Sequence, residues 1–163
     1  MDAPEIGLII PEAPHELEAA RTIVAEYARS LNIDLSFQDI EAELAGMPGE
    51  YVPPHGHMLL AYIDGELAGC GAFRALPEVD YANACEMKRL YVRKPFRRFG
   101  LGRVLAQALM DRARQAGYSA MLLDTLDEME SARGLYTTLG FEEIPPYYFN
   151  PIAGAHYLKA SLD

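Results

Sequence analysis

The spacing of apolar residues along the chain predicts seven strands and four helices. Short apolar runs and apolar–polar alternation indicate strands, whereas apolar residues that recur every three or four positions indicate helices. The predicted strands cover residues 6–10, 58–63, 66–74, 85–92, 120–126, 141–144 and 156–162. The predicted helices cover residues 17–31, 39–46, 100–116 and 127–139.

Turn and cap residues mark several of these boundaries. Ser36 and Asp39 resemble a capping box ahead of the second helix. Asp64 and Gly65 form a dipeptide that readily takes up the positive φ angles of a tight hairpin turn. The prolines and glycines of residues 48–57 predict the loop before that hairpin.

The segment 85–126 reads as a strand, a helix and a strand. Such a unit predicts a right-handed crossover between two parallel strands. Lys88 and Arg89 interrupt the alternation of the first strand, which indicates a bulge or an exposed end. The whole pattern predicts an α/β fold, of the mixed-sheet α+β kind, in a single domain over residues 1–163.

Length and composition limit the class of protein. A chain of 163 residues can bury roughly two thirds of its unfolded surface around one core. No apolar run approaches the roughly 20 residues of a membrane span, and the acidic N-terminus does not resemble a secretion signal. We therefore expect a cytoplasmic protein without a membrane partner, in which Cys70 and Cys85 are buried thiols; a disulfide between them is the less favoured alternative.

Charge is distributed unevenly along the chain. The net charge is −10, which argues against a nucleic-acid partner because binding to a phosphate backbone requires a basic surface. The segment 88–114 nevertheless holds nine of the 14 Lys and Arg residues and one of the 24 Asp and Glu residues. A basic segment within an acidic chain indicates a small polyanionic ligand bound at one place.

The stretch 97–102, RRFGLG, lies where a predicted strand gives way to a helix. The unpaired N–H groups of a helix N-terminus bind phosphates, and glycines let a pyrophosphate approach the backbone closely. A Walker loop would require Gly-Lys-Ser/Thr, and a dinucleotide fingerprint would require glycine where this chain has Leu105, so both are excluded. A plain glycine-containing turn with solvated arginines stays open as an alternative.

The same stretch matches the pattern Arg/Gln-x-x-Gly-x-Gly/Ala, and with it the chain resembles the GNAT acyltransferase superfamily. A second part of the family pattern follows in the order Ala132, Leu135, Tyr136, Leu139, Gly140 and Phe141. The resemblance implies the GNAT fold, with about seven strands and four helices, and acetyl-CoA as co-substrate. The donor-site positions that it implies are Leu90, Tyr91, Val92, Arg97, Arg98, Phe99, Gly100, Leu101, Gly102 and Arg103, with Ser131 standing where many relatives have asparagine nearby.

The resemblance also implies catalytic roles. Glu86 is the candidate general base, often acting through water in the family, and its alternative is an exposed glutamate paired with Lys88. Tyr136 is the candidate acid that protonates the departing thiolate, and its alternative is a core tyrosine. The backbone N–H near Leu90 is the candidate oxyanion donor.

Candidate acceptor residues are Arg74, Tyr147, Tyr148 and Asn150, for which simple loop packing is the alternative. Pairing of His55 and His57 suggests a metal site only superficially, because no third ligand follows at a recognisable spacing, so we expect no metal. The acceptor implied is a primary amine on a small molecule or a peptide, and the acidic remainder of the chain favours a cationic one.

The sequence thus predicts an acetyl-CoA-dependent N-acetyltransferase that transfers the acetyl group directly within a ternary complex. The alternative is a non-catalytic acyl-CoA-binding regulatory module, which needs the 97–102 loop but neither Glu86 nor Tyr136. The resemblance leaves a homodimer open.

Overall fold

A computed structural model of the chain describes residues 5–31, 40–126, 130–148 and 154–162. One seven-stranded sheet has the order β1-β2-β3-β4-β5-β7-β6. The strands are β1 (Ile6–Ile9), β2 (His57–Ile63), β3 (Glu66–Ala75), β4 (Ala84–Val92), β5 (Ala120–Leu126), β6 (Glu142–Ile144) and β7 (Ala155–Ser161). The helices are α1 (Pro14–Ser30), α2 (Ile40–Ala45), α3 (Leu101–Gln115) and α4 (Glu130–Thr138).

The predicted element order and mixed sheet are confirmed. β4 and β5 are parallel, as the crossover pattern predicts, and every other neighbouring pair is antiparallel. Asp64 and Gly65 form the hairpin turn with φ angles of 50° and 84°. A 3-10 helix over Lys94–Phe99 joins β4 to α3. The predicted capping box of Ser36 and Asp39 lies outside the described residues.

Helices cover both faces of the sheet. On one face, α3 buries Leu101, Leu105 and Leu109 against β2 to β5, and α4 adds Tyr136 to the same core. On the other face, α1 packs its buried side chains against β2 and β3, and α2 lies beside it. Both predicted thiols are buried and free, Cys70 within this second core. Within the described ranges, no helix has the length and hydrophobicity needed to cross a membrane.

The parallel pair β4 and β5 separates soon after it begins. Only three residue pairs join the two strands, and the last of them is Glu86 with Leu122. β4 continues to Val92, while β5 keeps its pairing with β7 as far as Leu126. A gap, here called the β4–β5 gap, therefore opens between the carboxyl halves of the two strands.

Close packing at Gly69 leads to a stability prediction. A Cβ atom there would lie 2.9 Å from the Tyr91 carbonyl oxygen and 3.1 Å from Leu105 Cδ1. We expect Gly69→Ala to lower the free energy of unfolding by about 1–3 kcal/mol, measured by urea denaturation. Gly7→Ala is the control, because a Cβ at this strand glycine meets nothing within 4 Å. Equal stability of the two variants would contradict the expectation.

Candidate functional site

The basic segment folds into a helix N-terminus that opens to solvent. Gly100 has φ of 69° and is exposed, and it joins the 3-10 helix to α3. The Val104 N–H donates to the Gly100 carbonyl at 3.2 Å, which is the first bond of the α-helical ladder. The N–H groups of Leu101, Gly102 and Arg103 precede it and have no acceptor one turn back in α3. Such groups bind anions.

Gly102 lies at the N-terminus of α3, between a side chain of α4 and a side chain of β4. A Cβ atom on it would lie 3.5 Å from Leu135 Cδ2 of α4 and 3.9 Å from Val92 Cγ2 of β4. The Arg103 guanidinium donates to Thr138 Oγ1 at 3.1 Å, which ties the first turn of α3 to α4. The helix N-terminus therefore lies at the carboxyl end of β4, beside the β4–β5 gap.

The other predicted donor-site residues divide into backbone and side-chain candidates. Arg97 is exposed, its Nε donates to the Val92 carbonyl at 2.9 Å, and its guanidinium lies 6.0 Å from the Tyr91 ring centroid. Leu101 is fully buried, so only its backbone is available to a ligand. Phe99 packs partly buried against the α3 core. The side chains of Arg98 and Ser131 lie outside the described part of the chain.

β4 has a bulge at the centre of the sheet. Gly71 of β3 faces two residues, Arg89 and Leu90, and Arg89 has φ of 61°. The region near Lys88 and Arg89 was expected to hold a bulge or an exposed end, and it holds a bulge. One residue of a bulged strand is left out of the ladder.

Peptide geometry at this bulge gives the direction of one N–H group. The Cys70 thiol of β3 donates to the Arg89 carbonyl at 3.2 Å, so that oxygen points toward β3. In a trans peptide the following N–H points the opposite way. The Leu90 N–H therefore points away from the Cys70 thiol, which packs in the second core.

Glu86 lies in a hydrogen-bonded network rather than in solvent. Its side chain is 2% exposed, which rules out the exposed-glutamate alternative. Oε1 accepts from Arg74 Nε at 3.1 Å and lies 2.9 Å from Arg74 Nη2, with Lys88 Nζ at 3.9 Å. Oε2 accepts from the Tyr147 hydroxyl at 2.7 Å. The two cations beside it offset the cost of burying this carboxylate, and Tyr147 covers its second oxygen.

A tyrosine cluster borders this network. Tyr147, Tyr148 and Tyr157 pack with ring centroids 5.3–5.5 Å apart. The Tyr148 hydroxyl donates to Asp124 Oδ2 of β5. Burial, with the neighbouring carboxylates, raises the pKa of both Tyr147 and Tyr148, so both remain hydrogen-bond donors at neutral pH. Asn150 lies outside the described residues.

Two charged residues of this region were not assigned to the site from the sequence, although Lys88 was named there as a partner of Glu86. Lys88 shares a face of β4 with Glu86, and burial lowers the pKa of its ammonium. Asp124 lies in β5, in the apolar run 120–126 that predicts a strand covered on both faces. A lone acid in such a run was the available signal for Asp124.

Tyr136 is 6% exposed and packs edge-on against Phe141, with ring centroids 5.6 Å apart. Burial raises the pKa of its phenol, and the charges of Tyr27 and Asp124 add to the rise. The phenol keeps its proton well above neutral pH.

His55 and His57 belong to the loop and strand start on the far side of β3. The His55 carbonyl accepts from the Tyr118 hydroxyl at 2.6 Å, and the His57 ring packs beside Phe73. In the part of the chain that the structure describes, no group of three His, Cys, Asp or Glu side chains is arranged to hold a metal ion.

The known proteins that are similar to this chain are acetyltransferases. The model of a family described as "Acetyltransferase (GNAT) family" matches residues 17–141. An uncharacterized N-acetyltransferase of Schizosaccharomyces pombe is 37% identical, over 99% of this chain and 98% of its own length. The fold matches a GNAT-family acetyltransferase from Staphylococcus aureus with a TM-score of 0.77, at 20% identity over 98% of this chain and 100% of that one. It also matches an acetyltransferase from Salmonella typhimurium solved with its cofactor acetyl-CoA, with a TM-score of 0.73 at 18% identity, over 97% and 94% of the two chains.

Proposed function

The chain belongs to the GNAT acetyltransferase family, and from this membership we propose that it transfers the acetyl group of acetyl-CoA directly to a primary amine while both reactants are bound. The acceptor is an amine on a small molecule or a peptide. The observation that carries the proposal is the β4–β5 gap, which has an open helix N-terminus at one end and a buried polar network at the other.

The donor fits this arrangement chemically. The early N–H groups of α3 suit a pyrophosphate, and Arg97 and Arg103, which flank the N-terminus of α3, supply positive charge beside it. The edge of β4 that β5 does not pair beyond Glu86 suits the amide-bearing arm of the donor, held through the backbone of residues 90–92. Arg97, Arg98, Phe99, Gly100, Leu101, Gly102, Arg103 and Ser131 complete the proposed donor site.

Acetyl-CoA supplies an activated acetyl thioester, and the protein has three tasks around it. The Leu90 N–H donates to the carbonyl oxygen as negative charge develops on it. Glu86 receives the proton of the attacking amine, through the Tyr147 hydroxyl or a water molecule. Tyr136 donates its phenol proton to the departing sulfur, since the phenol is protonated at neutral pH.

The acceptor is proposed to enter on the face of Glu86 and Tyr148. Two carboxylates, Glu86 and Asp124, and the tyrosine hydroxyls that donate to them form the wall on that side. Arg74 belongs to this wall through its contact with Glu86, and Asn150 is proposed to extend it. Carboxylates near the reacting amine favour a cationic acceptor such as a polyamine, an amino sugar or a lysine side chain.

Calorimetry with acetyl-CoA tests the donor half of the proposal. We expect binding with a Kd of about 1–100 µM. Gly102→Asp should weaken it by at least about tenfold, because a carboxylate at the mouth of α3 repels the pyrophosphate. Gly7→Asp adds the same charge on β1, where a Cβ meets nothing within 4 Å, and should have no effect.

Absence of binding at millimolar acetyl-CoA would overturn the proposal whatever the acceptor. Thiol release in the presence of a mixture of amines tests the transfer itself. Tight binding without release would contradict transfer and leave only the binding of the donor.

A further inference from the structure

We propose that a buried ion pair between Arg89 and Glu43 positions the Leu90 N–H for catalysis. The inference rests on the proposed function, because it assigns a role at the same oxyanion-binding backbone. Arg89 and Glu43 are positioning residues in this proposal, since neither side chain is assigned a contact with the acetyl group.

The bulge conformation at Arg89 is not one that arginine prefers. Its φ of 61° is in the left-handed region, which residues other than glycine rarely adopt. Such a conformation persists when surrounding contacts hold it. Here one contact holds the backbone carbonyl, through the Cys70 thiol, and another holds the side chain.

The side-chain contact has the geometry of a rigid fork. Arg89 Nε donates to Glu43 Oε2 at 2.8 Å, and Arg89 Nη2 donates to Oε1 at 2.8 Å. The Tyr51 hydroxyl also donates to Oε1, at 3.0 Å. The side chains of Arg89 and Glu43 are 3% and 18% exposed, so water screens the pair little. We call this pair the Arg89–Glu43 clamp.

The clamp connects the bulge to the wall beside the proposed acceptor site. Glu43 belongs to α2, and Tyr51 belongs to the loop that follows α2. Glu50 of the same loop contacts Arg74 Nη1 at 3.3 Å, and Arg74 contacts Glu86. Contacts from α2, from the loop after it and from β3 therefore act together to orient the Leu90 N–H before the reaction begins.

Loss of the clamp should let the peptide between residues 89 and 90 rotate. A misplaced donor group costs rate without costing the affinity of the remote parts of a ligand. We expect Glu43→Gln to lower kcat about tenfold while the Kd of free CoA, which has no acetyl carbonyl, stays within about twofold. Arg89→Gly should do the same, because glycine tolerates a φ of 61° but provides no guanidinium.

A spectroscopic measurement tests the same point without any acceptor. The carbonyl stretch of carbon-13-labelled acetyl-CoA, bound to the wild-type protein, should lie below that of the free compound because the Leu90 N–H polarises the bond. Most of this shift should be lost in Glu43→Gln and in Arg89→Gly. In the double variant, the loss should not exceed that of either single change, because both remove one interaction.

The matched control is a second arginine–glutamate pair, which lies just after the last residue of β4. Arg93 Nε contacts Glu26 Oε2 of α1 at 2.7 Å, and it does not touch the bulge. Glu26→Gln should leave both kcat and the carbonyl shift unchanged. Tyr51→Phe removes only one hydrogen bond to Glu43 and serves where a larger change prevents folding; it should move kcat and the shift in the same direction by less.

The possible results separate cleanly. A wild-type protein that does not bind acetyl-CoA overturns the proposed function, and the clamp with it. A wild-type carbonyl shift that Glu43→Gln, Arg89→Gly and Tyr51→Phe all retain overturns the clamp alone. A fall in CoA affinity that parallels the fall in kcat, or an equal effect of Glu26→Gln, also overturns it, because either result indicates general structural damage.

Discussion

Replacement of Tyr136 by phenylalanine should reduce the single-turnover rate of acetyl transfer by about 100- to 1000-fold, the range typical of a lost general acid. The substitution keeps the ring that packs against Phe141 and removes only the hydroxyl. The departing thiolate would then leave without a proton donor. Affinity for CoA, measured by calorimetry, should stay within about twofold, since the proposed donor contacts lie on β4 and α3.

Tyr118→Phe is the matched control for this substitution. Its hydroxyl donates to the His55 carbonyl at 2.6 Å, beyond the amino end of β5 and away from the gap. It should leave the rate unchanged. A single-turnover rate for Tyr136→Phe equal to that of the wild type would remove Tyr136 from the acid role and return it to a core tyrosine.

Glu86→Gln should lower kcat by about 100-fold and should also alter the pH profile. Glutamine keeps the volume of the side chain but is not a base, and its one amide oxygen can replace the acceptor of Arg74 or the acceptor of Tyr147 but not both. We expect the acid limb of the kcat profile, which reports the base in its proton-accepting form, to disappear in the variant. Initial rates of thiol release across pH 5–9 would measure both effects.

Two further variants separate the charge of Glu86 from its surroundings. Glu50→Gln removes the other carboxylate that contacts Arg74, at 3.3 Å, but Glu50 is 70% exposed and does not touch Glu86, so kcat should hardly change. Tyr147→Phe uncovers Oε2 of Glu86. If kcat falls as far as in Glu86→Gln, Tyr147 transfers the proton; if kcat is kept, a water molecule does. An unchanged kcat in Glu86→Gln would remove Glu86 as the base.

Local chemistry was enough to predict most of the fold. The hairpin follows from Asp64 and Gly65, whose positive φ angles the structure confirms. Apolar spacing also predicts α3 and its flanking parallel strands, because one face of the helix must be buried. The 3-10 helix Lys94–Phe99 was not predicted, since Pro95 is equally compatible with a turn and with the start of a short helix.

The site was predicted less completely because its contacts join distant parts of the chain. Tyr147 and Glu86 are 61 positions apart, and Arg89 and Glu43 are 46 positions apart. No local pattern shows that two charged side chains will be buried against each other, since burial of charge is decided by the partner. Glu43 gave no signal at all, as it is one of two glutamates on a short helix.

The early separation of β4 from β5 divides the sheet into two halves with few hydrogen bonds between them. Strands β1 to β4 form one half of the sheet, and β5, β7 and β6 form the other. Three residue pairs between β4 and β5 join the two halves. A donor arm lying in the β4–β5 gap would bond to the edge of β4 that β5 does not pair, and would take the place of the missing β4–β5 hydrogen bonds. On the proposed function, the bound co-substrate therefore adds contacts between the two halves of the sheet. Each turnover removes these contacts when the product CoA leaves and restores them when new acetyl-CoA binds.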